Sequence, residues 1–135
     1  MQLADQLAVD FRANVLAPWA QVGSYRIDPD GLLSAPLRGV IVSAQSNTST
    51  DGRGIVHERF ATLLLADDEL ALALTGLGQP RTTPQRGDAW ELTTGRNTGV
   101  WVVQNWSTGH AGQIRATVLA TLRHALAPNG GRLAQ

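Results

Sequence analysis

The sequence predicts a mainly β domain, a small antiparallel β-barrel or sandwich with an N-terminal α-helix and a short second helix. The first observation is a strand pair rich in Trp and Val that follows the tight-turn dipeptide Gly87-Asp88. The second is the alternation of apolar and polar residues over 113–123, which is typical of a half-buried strand. The third is length, because 135 residues without cysteine can bury one core without disulfides.

Residues 1–18 are predicted to form the N-terminal helix, because apolar residues recur there at helical spacing. The residues of this apolar stripe are Leu3, Leu7, Phe11 and Val15. Pro18 is expected to end the helix, since proline lacks the N–H that a helix interior uses. The apolar stripe fits either the core of the same domain or a neighbouring subunit.

The β domain is predicted to span 24–123, and it begins with a short strand near residues 24–27. The turn at 28–31, Asp-Pro-Asp-Gly, separates this strand from a second one over 32–44. Gly39 within the second strand indicates a β-bulge or a close approach of another chain segment.

The stretch 45–54, QSNTSTDGRG, contains no apolar residue. Such a segment cannot bury surface to offset the entropy lost on ordering, so it is predicted to be a loop that is mobile in the free chain. It fits a simple hairpin tip or a segment that becomes ordered against a partner. Arg53 is the charged residue of this stretch that we expect to take part in such a contact.

A third strand is predicted over 55–66, with Leu63 and Leu65 on one face and Leu64 on the other. Both faces are therefore expected to be covered near its end, unless a bulge shifts the alternation. The segment 67–74, DDELALAL, is typical of a short helix capped by its first or second Asp.

The loop 75–86 contains two Gly and two Pro and is longer than a hairpin requires, so it is a second candidate contact surface.

The last predicted strand covers residues 113–126. This segment also fits a helix, but its β-branched residues and its place after a meander favour a strand. The tail 124–135 is expected to need a partner to become ordered. We interpret 1–135 as one domain.

Catalytic and metal-binding motifs are absent from the sequence. The three His residues are isolated, no Gly-x-Ser-x-Gly elbow occurs, and a phosphate-binding loop is excluded because every basic residue is Arg. We therefore expect no catalytic residue, no cofactor and no metal ion.

The balance of 11 basic and 11 acidic residues predicts no general attraction to DNA or to anionic lipid. No apolar run approaches the roughly 20 residues that span a membrane, so a soluble protein is expected.

Trp90, Trp101 and Trp106 fit two interpretations. They are close enough along a hairpin to form a stacking platform for a sugar or for single-stranded bases. A nucleic-acid groove also requires basic residues, and Arg96 is the only one between residues 87 and 114. Packing in a core or an interface is therefore favoured.

The order of these segments resembles the small head–tail joining proteins (head-completion, connector or neck proteins) of long-tailed bacteriophages and phage-like particles. The resemblance covers most of residues 1–122. After the N-terminal helix, the matching segments are Leu37–Ile41, the polar loop 46–54, the acidic turn Asp67–Glu69, Arg86–Asp88, Trp101–Val103 and the Gly-containing turn 109–112. Two features depart from the family pattern, the long 75–86 loop and the continuation to residue 135.

The resemblance implies a non-enzymatic virion subunit, assembled in the host cytoplasm, that forms a homo-oligomeric ring in the neck of the particle. Its partners would be the portal or an adaptor on the capsid side and the tail terminator or tail tube on the other, with DNA passing through without sequence-specific binding. A tail-completion or tail-terminator ring and a carbohydrate-binding or other small-molecule-binding β domain are the alternatives. The polar residues of the two loops and the tail are the expected interface: Asn47, Thr48, Ser49, Asp51, Arg53, Arg81, Arg86 and Arg132.

Overall fold

The structure, a computed structural model, describes residue 6 and residues 10–52, 54–109 and 112–125, with Asp51 and residues 122–125 described by backbone alone. Its strands are β1 (Gln21–Arg26), β2 (Ala35–Asp51), β3 (Gly54–Ala66), β4 (Ala89–Leu92), β5 (Gly99–Thr108) and β6 (Gln113–Ala125). They form a closed antiparallel barrel in the order β1-β2-β3-β6-β5-β4. The predicted mainly β class is confirmed, and the chain forms the barrel rather than the sandwich.

The interior of the barrel is filled by alternate residues of its strands. In β6, Ile114, Ala116 and Val118 are buried, whereas Arg115 and Thr117 are exposed. The period-two pattern of the sequence therefore corresponds to a strand, as predicted, and the helical alternative is wrong. The same core contains side chains from six other elements, among them Tyr25, Leu37, Leu70, Trp90 and Trp101.

Strand β3 is covered on both faces near its end, as its broken alternation predicts. Leu63 and Leu65 lie in the barrel core, and Leu64 lies in a second cluster on the outside of the barrel. Phe11 and Leu16 of the N-terminal helix cover that outer cluster. Burial of a leucine side chain contributes about 1.5–3 kcal/mol, so this contact favours docking of the helix on the sheet.

The N-terminal helix is π-helical over Arg12–Leu16 and α-helical over Ala17–Trp19. The prediction that Pro18 ends the helix is wrong by one residue. The N–H of Ala17 donates to the carbonyl of Arg12, five residues back, so the hydrogen-bond ladder is already displaced where Pro18 lacks a donor. Leu3 and Leu7 lie outside the described residues. No helix within the described part of the chain is long and apolar enough to cross a bilayer.

The second helix, Asp67–Gly76, is present as predicted and extends two residues beyond the predicted end. The predicted aspartate cap is wrong, because the N-cap residue is Ala66, whose side chain has no acceptor. Asp67 is instead the first helical residue, and its Oδ1 accepts a hydrogen bond from the N–H of Asp68 at 2.7 Å. The acidic residues of the first turn still favour the positive end of the helix dipole.

Two arginines link this second helix to the rest of the fold. Arg38 of β2 donates two hydrogen bonds to Glu69, from Nε to Oε1 at 2.7 Å and from Nη2 to Oε2 at 2.8 Å. Arg12 of the N-terminal helix pairs with Asp68 at 2.7 Å and lowers the pKa of that carboxyl. Both helices and the sheet are thereby fixed relative to one another.

The prediction that residues 45–54 form a loop is wrong. Strand β2, predicted over 32–44, continues to Asp51. This added part pairs with β3, from Gln45 opposite Phe60 to Asp51 opposite Gly54. A register shift between Val42 and Gln45 separates this part of β2 from the barrel. Residues 43–50 are exposed on both faces, so no apolar alternation marks the strand in the sequence. Backbone hydrogen bonds to β3 supply the order that side-chain burial does not.

The ends of the β domain also differ from the prediction. The first strand begins at Gln21 rather than at residue 24, and the last extends to Ala125 rather than 123. The expected special role of Gly39 is a close approach, because a Cβ there would lie 2.8 Å from Cδ1 of Leu63. The tail from residue 126 onward lies outside the described residues.

We expect Gly23→Ala to destabilise the barrel by about 1–3 kcal/mol, because the core at this position has no space for a methyl group. A Cβ on Gly23 would lie 2.5 Å from the indole of Trp90 and 2.7 Å from the carbonyl of Glu91. The measurement is the free energy of unfolding in urea, followed by Trp fluorescence.

The matched control is Gly76→Ala, at the end of the second helix, where nothing lies within 4 Å of the added Cβ. This variant is expected to be neutral or slightly more stable than the parent chain. Equal stability of the two variants would contradict the tight contact between β1 and Trp90.

Candidate functional site

The most distinctive surface of the molecule is a three-stranded extension of the barrel. We define the arm as the Gln45–Arg59 hairpin together with residues 120–125 of β6, which pair with β3 on its other side. Strand β1 pairs with β2 only over 35–39, and β5 pairs with β6 only over 114–119. The arm therefore continues past both neighbours, and its β2 segment of seven residues has a length of roughly 20–25 Å.

The described part of the arm contains four of the eight predicted interface residues. Asn47, Thr48 and Ser49 are exposed on its β2 segment, and Asp51 is the last residue of that strand. Arg53, in the connection between the two strands, lies outside the described residues. The structure thus brings four predicted residues together on one strand rather than on a loop.

Residues that are paired across the three strands of the arm point to the same face, and successive pairs alternate between the two faces. Asn47, Glu58 and Thr121 lie side by side, since Glu58 pairs with both of the others. The next rung contains Thr48 and His57, whose Oγ1 and Nδ1 atoms are 3.1 Å apart. The β2 segment has no cation and presents a polar, nearly uncharged surface.

The remaining predicted interface residues lie in different environments. Arg86 is exposed in the turn before β4. Arg81 instead lies against the barrel, where its Nη1 and Nη2 donate to the two oxygens of Asp88 at 2.7 and 2.8 Å. Its charge is therefore used within the chain. Arg132 lies outside the described residues.

Asp88 has a buried carboxylate, only 2% exposed, that anchors the loop after the second helix. Besides the two bonds from Arg81, its Oδ2 accepts hydrogen bonds from the hydroxyl of Tyr25 at 2.6 Å and from the N–H of Gln85 at 3.0 Å. Residues of the predicted 75–86 contact loop are thus held against β1. Four donors and one full positive charge compensate the buried carboxylate.

The proton of Tyr25 is held unusually tightly in this network. Burial of the hydroxyl and its hydrogen bond to the negative Asp88 raise the pKa of Tyr25 well above its ordinary value. The hydrogen bond to Asp88 likewise raises the pKa of Arg81. Both groups therefore keep their protons wherever the chain is folded.

The Trp pair of the central hairpin belongs to the core. Trp90 and Trp101 are register partners on β4 and β5, and both are fully buried. Their indole N–H groups donate to the carbonyls of Leu37 and Asn97, each at 2.8 Å. The guanidinium carbon of Arg59 lies 4.7 Å from the centre of the Trp101 ring, a cation–π contact. Neither ring offers a face for an external ligand.

One exposed aromatic residue, Trp19, was not among the predicted interface residues. Trp19 is 71% exposed at the end of the N-terminal helix. It lines an open groove of about 520 Å³ whose other walls are Val40–Val42 of β2 and the turn at 96–97. The signal in the sequence was its position next to Pro18, at the end of an amphipathic helix.

Within the ranges that the structure describes, no group of three or more His, Cys, Asp or Glu residues comes together in a way that could hold a metal ion. No protein-family model matches the chain, and no curated protein matches it.

We expect Tyr25 to remain un-ionised as the pH rises past 10, the ordinary pKa of a tyrosine. Its raised pKa in the folded state contributes stability that is fully present below about pH 10 and is lost as the pH rises further. The chain contains one tyrosine, so near-ultraviolet tyrosinate absorbance reports Tyr25 alone. The absorbance should appear only together with loss of the far-ultraviolet circular dichroism of the fold.

The control is the same titration in concentrated urea, where Tyr25 should ionise near its ordinary pKa. A Tyr25→Phe variant should show a smaller loss of stability between neutral and strongly alkaline pH than the parent chain. A smooth titration centred at pH 10 in a chain that is still folded would contradict the buried bond to Asp88.

Proposed function

We propose that this chain is a structural, non-enzymatic subunit of a ring in the neck of a phage or phage-like particle. The ring would complete the head and join the portal side of the capsid to the tail around the DNA channel. The observation that carries the proposal is the combination of a small closed barrel with a polar arm that projects from it. The sequence resemblance to head–tail joining proteins supplies the biological context.

Three of the segments that carry the resemblance belong to the framework of the barrel. Leu37–Ile41 lies in the barrel part of β2, and Trp101–Val103 lies in β5. Asp88 of the Arg86–Asp88 turn is the buried anchor described above. These three segments thus belong to the barrel body, which is the part of a ring subunit that must be rigid.

The arm fits the requirements of a subunit that meets several neighbours. A closed barrel has no free sheet edges of its own, so the arm supplies the edges and polar groups through which contacts form. Its β2 segment lacks cations, and the chain as a whole has no net charge. A ring built from such subunits would let DNA pass without a strong electrostatic grip.

The alternatives differ in how the structure bears on them. A tail-completion or tail-terminator ring would use the same scaffold and arm, so only the neighbouring proteins distinguish it from the proposed neck ring. A carbohydrate-binding or other small-molecule-binding domain would need an exposed aromatic platform on the hairpin. Trp90 and Trp101 are buried, and Trp106 is 36% exposed, so the hairpin does not favour this second alternative.

The direct test is to mix the purified chain with a portal assembly from the same particle. Rings that stack on the portal in negative-stain images, with a matching increase in mass, are the expected result. A chain that leaves the portal unchanged and instead shows a Trp fluorescence shift with sugars would overturn the proposal.

We expect an arm-shortened variant to fold but to fail in joining filled heads to tails. The variant lacks Asn47–Thr50 and Ile55–Glu58, four paired rungs, so the turn and the facing of the remaining residues are preserved. The two apolar clusters contain none of the deleted residues, and Val56 is the one buried side chain that the deletion removes. The measurements are thermal unfolding by Trp fluorescence and the yield of tailed particles.

The matched control keeps the length of the arm and replaces Ser46 and Thr50, two exposed residues outside the predicted interface, by Ala. It should join heads to tails, because the backbone of the arm is intact. A normal yield of tailed particles from the shortened variant would show that the arm is not needed for joining.

A further inference from the structure

The arm has two sheet edges that no described strand occupies. Its β2 segment, Gln45–Asp51, pairs with β3 on one side only. On the opposite side of β3, residues 121–125 of β6 also have β3 as their only partner among the described strands. Each edge presents a row of backbone N–H and C=O groups over five to seven residues.

The β2 edge lacks the devices that usually prevent pairing with another chain. Natural edge strands carry Lys, Pro, a bulge or an inward-pointing charge. The segment Gln45–Asp51 contains neither Pro nor a basic residue, and its bulge lies before it, between Val42 and Gln45. Ser and Thr dominate the segment, and Thr tolerates a strand well. The edge is thus regular and accessible.

The two edges are complementary to each other. Both β2 and β6 run antiparallel to β3, so they run parallel to one another on opposite sides of the arm. A contact between the β6 edge of one copy and the β2 edge of the next is heterologous, because it uses two different surfaces. Contacts of this type close into rings when the rotation between copies allows it.

We propose that β2 of one copy pairs in parallel with β6 of the next copy through the arm. The inference rests on the proposed ring function and specifies the contact that builds the ring. The arms then form one continuous sheet in which each copy contributes three strands. The pairing satisfies the backbone groups of both edges, which water satisfies in the isolated chain.

The proposed pairing determines which side chains of the β2 edge lie beside Thr121 of the next copy. Gln45, Asn47 and Ser49 lie on the same face of the arm as Thr121, whereas Ser46, Thr48 and Thr50 lie on the other. Side chains of neighbouring strands in a sheet point to the same face when they lie side by side. Among the six positions from Gln45 to Thr50, only these first three can therefore lie beside Thr121 of the next copy.

Disulfide formation tests this statement directly, because the chain contains no cysteine of its own. Thr121→Cys is combined, one at a time, with a cysteine substitution at each of the six positions from Gln45 to Thr50. Within one chain, Asn47 and Thr121 are separated by β3, so their Cα atoms lie about 9.5 Å apart, too far for a disulfide. Any bond between them joins two copies.

The expected result, on mild oxidation of the full chain assembled with the portal, is covalent oligomers from one or two of the variants at Gln45, Asn47 and Ser49. The matched controls at Ser46, Thr48 and Thr50 should give none above the level of Thr121→Cys alone. Trp fluorescence verifies that each variant is folded. Reduction should return every oligomer to the single chain.

Other outcomes separate this inference from the proposed function. Rings on the portal without cross-links, or cross-links of equal yield at both sets of positions, overturn the strand pairing and leave the neck function standing. Cross-linked oligomers with the expected alternation that never associate with a portal overturn the neck function and retain the pairing. A chain that stays monomeric and cross-links at neither set overturns the pairing.

Discussion

The carboxylate of Asp88 lies where three parts of the chain must meet for the barrel to close. It accepts hydrogen bonds from Tyr25 in β1 and from Arg81 and Gln85 in the loop after the second helix. The carbonyl of the same residue accepts the N–H of Val103 in β5 at 2.8 Å. A buried charge is tolerated only when its partners are in place, so this anchor couples the position of the long loop to the closure of the sheet.

The molecule has two regions that are ordered by different interactions. One is the barrel, which closes between β1 and β4, and the other is the arm. Inside the barrel, the large side chains of Tyr25, Trp90 and Trp101 exclude water, and order comes from packing. In the arm, both faces of the β2 segment are exposed, and backbone hydrogen bonds to β3 are its main source of order. The arm is therefore the part of the described structure whose stability would change most on contact with a neighbour.

This division is consistent with the proposed role in a ring. A ring subunit needs a body that does not deform when force is transmitted along the particle, and a surface that forms bonds only during assembly. The barrel supplies the first property through its two apolar clusters on either side of β3. The open edges of the arm supply the second, since their backbone groups exchange water for a neighbouring strand without a change of fold.

The amino-acid sequence determined the features that depend on local pattern. Alternation in β6, the two-sided burial of β3 and the short acidic helix were all predicted, because side-chain period and helix composition act over a few residues. The exact strand limits were not, because hydrogen bonds to distant segments decide where a strand ends. Trp19 was missed because exposure depends on what packs beside a residue in space.

Only the tertiary structure decided that Gln45–Asp51 is a strand and that Arg81 is an internal partner rather than a free surface charge. A strand exposed on both faces leaves no apolar period in the sequence, and its order depends on β3 and β6 lying alongside it. Arg81 and Asp88 are seven residues apart, and their pairing with Tyr25 requires the closed barrel to bring β1 next to them. Composition and period thus specified a mainly β domain, whereas long-range pairing closed the sheet into a barrel and formed the arm.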